Sequence, residues 1–242
     1  PTQSVVDEAI AKDCDLIITH HPLFFQATHK VAAESFRGRI VNNLIEHKIS
    51  LYCGHTNVDI STDGASFTLA KKLALRDISF ISKIDNKNYD SYDNNITSGL
   101  GVVGNLPKLT KINQLADKLS QVVPLFNQPI KLAGEKNISV NRVVIISGSG
   151  DFILNSQIAF ATNFLAADVF ISSDLRHHPV LEFRQTFPQV QVLDIPHFSG
   201  EYICLENIQK RLANKFNLIG ELSTISTDPY KQLYFSSNNA LK

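Results

Sequence analysis

Three stretches carry side chains whose type and spacing suit metal chemistry. His20-His21 stands directly after the apolar run Leu16-Ile17-Ile18, and Pro22 stops regular structure behind it. His55 and Asp59 follow a second short run, Ile49–Cys53, and His197 and Glu201 follow a third, Val190–Leu193. Imidazole and carboxylate together suit Zn, Fe, Mn or Ni. Two such ions held side by side acidify a water between them. Each stretch also has a plain alternative. His20 and His21 would serve as half-exposed loop residues, Asp59 and Asp63 as helix caps, and Glu201 as a first-turn acid favoured by the helix dipole. The i, i+4 spacing of His197 and Glu201 at a helix start would nevertheless put both groups on one face.

What makes these pairs convergent is the pattern of elements around them. Val5, Val6, Ala9 and Ile10 sit at helical spacing, and helices are expected over Ser35–His47, Gly64–Leu75, Lys111–Val123, Phe152–Leu165, Pro179–Thr186 and Gly200–Phe216. Between them lie short β-branched runs: Leu16–Ile18, Ile49–Cys53, Gly99–Val103, Val140–Ser147, Val169–Ser172 and Val190–Leu193. Strands separated by helices make βαβ units, so the expected class is α/β, in two similar halves with mostly parallel sheets and the metal site between them. Ligands in open parallel sheets bind beyond the carboxyl ends of the strands. Six of the eight histidines fall at such ends.

The divisions expected are residues 1–95 as the N-terminal part of an α/β metal-binding domain, 96–146 as a central strand–helix segment, and 147–242 as a second half that supplies His197 and Glu201. The Asn- and Asp-rich stretch 85–95 is the expected seam. A faint internal repeat supports two halves: Asp15 to Pro22 and Asp168 to Pro179 both read Asp, apolar strand, hydroxyl residue, then His-His-Pro.

Two more segments have weaker claims. Asp174, Arg176, His177 and His178 would line the same cavity or simply open a helix. Ser147-Gly148-Ser149-Gly150 would cradle phosphate through backbone amides or form a tight turn. It matches neither GxGxxG nor GxxxxGK[ST], and the chain has no HExxH and no GxSxG. Cys53 reads as a small apolar residue rather than a nucleophile.

Composition narrows the classes. The 242 residues hold 23 Lys+Arg against 23 Asp+Glu, which argues against a strongly basic nucleic-acid binder or a polybasic membrane protein. Every long apolar stretch is broken by charge well short of the roughly 18 residues of a spanning helix. Three widely spread cysteines without a CxxC pair argue against a disulfide scaffold and a zinc ribbon. A cytoplasmic protein is the expectation. There is no Met, even at position 1, so the native start is expected upstream of Pro1.

The runs Leu16-Ile-Ile-Thr-His-His-Pro-Leu-Phe-Phe25, His55-Thr-Asn-Val-Asp59, Ser173-Asp-Leu-Arg-His177 and Asp194-Ile-Pro-His-Phe-Ser-Gly-Glu201 resemble the NIF-three-like family. Its bacterial members are commonly labelled homologues of GTP cyclohydrolase I type 2. The resemblance implies a two-domain α/β protein in a ring-shaped homo-hexamer, with a dinuclear metal centre facing an internal cavity. Carried over, the metal ligands are His20, His21, Asp59, His197 and Glu201, with His55, Asp174, Arg176 and His177 nearby. Long-form members carry an inserted domain for which this chain has no room. Gly64-Ala65-Ser66 departs from the family's glycine-rich, Asn-containing segment.

The function expected is that of a metal-dependent hydrolase acting on a nucleotide or other phosphorylated small molecule. Glu201, His55 and His177 are the candidates to move protons, and Arg176 and the Ser-Gly turn to meet phosphate. The alternative is a non-enzymatic metal carrier, sensor or oligomeric scaffold.

Overall fold

Alternation along three neighbouring strands decides the architecture. Val143, Ile145, Val169, Ile171 and Leu193 point to one apolar core, while Val144, Ile146, Phe170 and Val192 point to another on the opposite face. A strand buried on both faces must lie inside a sheet covered on both sides.

The computed structural model describes residues 1–84, 98–124, 128–154 and 166–231. In chain order these form α1 (Gln3–Ala11), β1 (Leu16–Thr19), α2 (Phe36–Glu46), β2 (Ser50–Cys53), α3 (Thr56–Asp59), α4 (Ala65–Lys72), β3 (Arg76–Ile84), β4 (Ser98–Lys111) and α5 (Ile112–Val122). There follow β5 (Lys131–Ala133), β6 (Ser139–Ser149), a 3-10 turn (Asp151–Leu154), β7 (Val169–Ser173), α6 (His177–Thr186), β8 (Gln191–Asp194), α7 (His197–Tyr202) and α8 (Leu205–Phe216).

The strands make two sheets. One is a parallel pair, β1 with β2, in which Ile17 faces Leu51 and Thr19 faces Cys53. The other has six strands in the order β3-β4-β6-β7-β8-β5. The α/β class stands, but the parallelism is mixed. β1–β2, β6–β7 and β7–β8 are parallel, whereas β3–β4, β4–β6 and β5–β8 are antiparallel. The reason is that β3 and β5 read too weakly to be seen in the sequence. β3 alternates a few apolar residues with Ser and Lys, and β5 is three residues on an edge. β6 runs unbroken across residue 146.

Helices cover the faces. Ile112, Leu115 and Leu119 of α5 pack with Leu69 and Leu73 against one side of the large sheet. Phe183 of α6 and Phe187 beyond it, with ring centroids 5.0 Å apart, pack on the other. The small sheet has its own core of Val6, Ala9, Ile17, Leu23, Ile40, Leu44 and Ile49. There α2 starts cleanly because Ser35, in extended conformation, accepts a hydrogen bond from the Gly38 amide at 3.0 Å.

The single expected helix over Gly200–Phe216 is two helices, α7 and α8, and α7 begins at His197. Of the expected helix over Phe152–Leu165, residues 151–154 form the 3-10 turn and the remainder lies outside the described residues, as does the 85–95 seam. Among the described residues no helix is long and apolar enough to cross a membrane.

Candidate metal centre

Both sheets aim their carboxyl ends at one place. His20 and His21 follow β1, and His55 follows β2 by one glycine and caps α3, whose last residue is Asp59. From the large sheet, β8 ends at Asp194 and the chain turns through Ile195-Pro196 into α7, which carries His197 and Glu201 one turn apart. The Ile195 amide is held by the Ser172 carbonyl at 2.8 Å, so the ladder of β7 sets where α7 starts. On the other side the Thr19 hydroxyl donates to the His21 carbonyl at 2.8 Å and the Cys53 thiol to the His20 carbonyl at 3.0 Å. These bonds fix the two backbone units that carry adjacent histidines.

Glu201 is the hub. Its Oε2 lies 3.0 Å from Nε2 of both His21 and His197, and its Oε1 lies 3.5 Å from Nε2 of His20. Asp59 Oδ1 stands 3.4 Å from the same His20 nitrogen. Two groups of three, His20–His21–His55 and His21–His197–Glu201, each have ligand atoms within 4.8 Å of one another, and they share His21. Phe25 closes one side, its ring 5.3 Å from that of His55 and 5.6 Å from that of His21. A cavity of about 910 Å³ opens beside the cluster, walled by His20, His21, His197 and Glu201 on one side and by Tyr202, Gln128 and the 223–231 segment on the other.

Buried polar atoms are normally paired, and here several are not. Both ring nitrogens of His20 and Asp59 Oδ1 are buried without a hydrogen-bond partner, although the His20 side chain is only 8% exposed. Nitrogen and oxygen donors converging in this way fit divalent cations. Without one, protons hold the cluster together. Burial opposes charge on His197, but Glu201 and Asp174 outweigh it and raise the imidazole to about 9. Burial also opposes charge on Glu201, yet the imidazoles of His197, His20 and His21 beside it drive it well below the usual carboxylate range. At Asp59 burial wins, pushing it up to about 6. His20 is raised despite burial by the Glu201 and Asp59 carboxylates. His55 is lowered by burial and by its histidine neighbours His20 and His21.

Gly148 has a part that the sequence did not reveal. It sits at φ +76°, and a Cβ there would lie 2.3 Å from Glu201 Oε1. The Ser147–Gly150 segment therefore makes room for a carboxylate instead of cradling phosphate. Two of its amides are also occupied, Ser147 by the Ser66 hydroxyl at 2.9 Å and Gly150 by the Ser172 hydroxyl at 3.0 Å.

His177 opens α6 in an exposed position, ring edge against His178, and belongs to neither ligand group. Arg176 donates to Asp151 through Nε at 2.7 Å and through Nη2, on a side chain that stays 77% exposed. Asp63 pairs with Arg211 rather than capping α4, whose N-cap is Gly64. Asp174 instead lies 2.7 Å from His197 Nδ1.

Fold and site together define an α/β protein with a histidine–carboxylate cluster where two sheets meet. The chain belongs to the Duf34/NIF3 (NGG1p interacting factor 3) family, whose model matches residues 1–230. A relative in Streptomyces coelicolor, named GTP cyclohydrolase 1 type 2 homolog, is 36% identical over 202 residues, covering 84% of this chain and 67% of its own. One of the same name in Clostridium acetobutylicum is 27% identical over 236 residues, 95% and 82% of the two chains. The crystal structure of Staphylococcus aureus protein SA1388 superposes with a TM-score of 0.80 at 29% identity, covering 96% of this chain and 85% of that one. A Bacillus cereus protein related to NIF3 shares the fold at the same TM-score and 20% identity, over 96% and 87% of the chains.

Proposed function

We propose that the chain binds two divalent metal ions through His20, His21, Asp59, His197 and Glu201 and hydrolyses a nucleotide or another phosphorylated small molecule. The observation that carries the metal reading is the set of buried, unpaired ligand atoms on His20 and Asp59 facing the Glu201 carboxylate. A paired divalent centre supplies Lewis acidity and an acidified water at neutral pH. Zn, Fe, Mn and Ni all suit this donor set.

The chain's own groups divide the remaining work. Glu201, ionised and touched by three imidazoles, is the shared anion of the centre. His55, held towards its neutral form, accepts a proton beside the cluster, a task for which exposed His177 is poorly placed. The adjoining cavity has room for a nucleotide-sized ligand, and Phe25 covers the side next to His55. The names of the relatives favour GTP as the first substrate to try. The homo-hexamer implied by the family resemblance belongs to the same proposal, and sedimentation of the full chain should show six protomers.

Elemental analysis of unchelated protein, beside a His20→Ala, Glu201→Ala double variant, tests the centre. About two ions per wild-type chain, lost in the variant, are expected. Wild type that takes up no Zn, Fe or Mn on reconstitution overturns the metal reading. Bound metal with no turnover of GTP or phosphoesters overturns the hydrolase and leaves a metal-binding carrier, sensor or scaffold.

A further inference from the structure

Just past β7 the backbone does something costly. Asp174 adopts φ +54°, the left-handed region that only Gly, Asn and Asp visit readily. The conformation is fixed from both sides. Behind it, Ser173 is buried and paired with Ser149 in the sheet. Ahead of it, Asp151, only 8% exposed, accepts the Arg176 amide at 3.0 Å and the Arg176 Nε at 2.7 Å. The corner 174–176 is thus clamped by a buried carboxylate.

What the corner delivers is the Asp174 carboxylate at 2.7 Å from His197 Nδ1. A carboxylate only accepts, so Nδ1 carries the hydrogen and donates it. The other ring nitrogen, Nε2, then faces Glu201 Oε2 at 3.0 Å and His21 Nε2 at 3.4 Å. Ligating histidines commonly donate their second N–H to a carboxylate, which fixes ring orientation and raises ligand basicity.

We propose that Asp174 is the positioning residue of the metal centre. It selects Nε2 of His197 as the ligand nitrogen and holds the ring, and the Asp151–Arg176 clamp maintains the left-handed corner that makes this contact. This inference rests on the metal reading above.

The test uses zinc alone, with affinity read by competition against a chromogenic chelator, on wild type, Asp174→Asn and Asp174→Gly. Both substitutions tolerate the left-handed backbone, so the fold is kept and only the carboxylate is lost. Zinc binding should weaken about 10- to 100-fold in both. In the metal-free protein the relief of backbone strain by glycine opposes the loss of the Asp174–His197 pair, so the thermal midpoint of Asp174→Gly should stay within about 4 °C of wild type. Affinity and stability moving apart is a signature that a merely structural residue would not give. In protein labelled with ¹⁵N-histidine, the Nδ1–H signal of His197 should be present in wild type and lost in Asp174→Gly. Zinc bound by both variants as tightly as by wild type overturns the role of Asp174 while leaving the metal centre standing. Wild type that binds no zinc overturns the metal reading, and this inference with it.

Discussion

The two sheets contribute to one site from very different foundations. The large sheet has β7 buried along its whole length, cores on both faces, and helices over each. The small sheet is two strands of four residues with a separate core of seven buried apolar side chains. Its outer residues Leu16 and Tyr52 are 43% and 55% exposed. The ligands inherit the contrast. Glu201 and His197, from the large sheet, have hydrogen-bonding partners on their functional atoms. His20 and Asp59, from the small one, are buried with atoms left unpaired. One half of the cluster is organised by hydrogen bonds within the fold, and in the other half buried donor atoms lack such partners.

Core truncation should expose that contrast most strongly. Phe183→Ala, removing a ring 1% exposed under the large sheet, should cost about 3–5 kcal/mol in denaturant unfolding. If the two regions differ as described, hydrogen exchange in the metal-free protein should show β1 and β2 opening well below that global free energy. Equal protection in both sheets would remove the distinction.

The next effect concerns the protons that hold the metal-free cluster. His197 is raised to about 9 in the folded chain against about 6.5 unfolded. Its contribution is therefore fully present below pH 6.5 and is lost as pH rises through 9. Chelated protein should lose on the order of 2 kcal/mol over that window. Zinc should flatten the loss, since a cation takes over the role of the protons. A stability profile that ignores chelator would argue that no cation enters.

Gly148→Ala tests the organised half from the backbone. The substitution puts a side chain at φ +76° and a Cβ against the Glu201 carboxylate. We expect about 1–2 kcal/mol of destabilisation together with weakened zinc binding. Loss of stability with unchanged zinc affinity would mean that Glu201 moves freely. The smallest effect belongs to the small sheet. Ser35→Ala removes the cap of α2 and should cost about 1 kcal/mol, read as a shift of a few degrees in thermal midpoint. Coupled unfolding of both sheets in that variant would show that the small core does not act as a separate unit.

Much of this was legible in the chain itself. Local periodicity marks α1, α2, α5, β1, β6, β7 and β8, because each buries one face or two in a regular repeat. The same periodicity places His20, His21, His55 and His197 past strand ends, where side chains face an open edge. The weakly patterned β3 and the three-residue β5 were hidden, since an edge strand buries too little to leave a repeat. The break between α7 and α8 was hidden too, as both halves of the run Gly200–Phe216 keep helical spacing.

The sequence by itself determined the α/β class and the residue types able to hold cations, because burial period and donor chemistry are local properties. Only the tertiary structure decided how they combine. It showed that Glu201 lies beside three imidazoles, that the Asp174 carboxylate meets His197 while His177 belongs to neither ligand group, and that Gly148 leaves clearance for the Glu201 carboxylate. The Glu201 contacts with His20 and His21 join the small sheet to the large one, and the others join β6 and β7 to α7. Distance across a sheet junction is set by strand order and register, which no local pattern encodes.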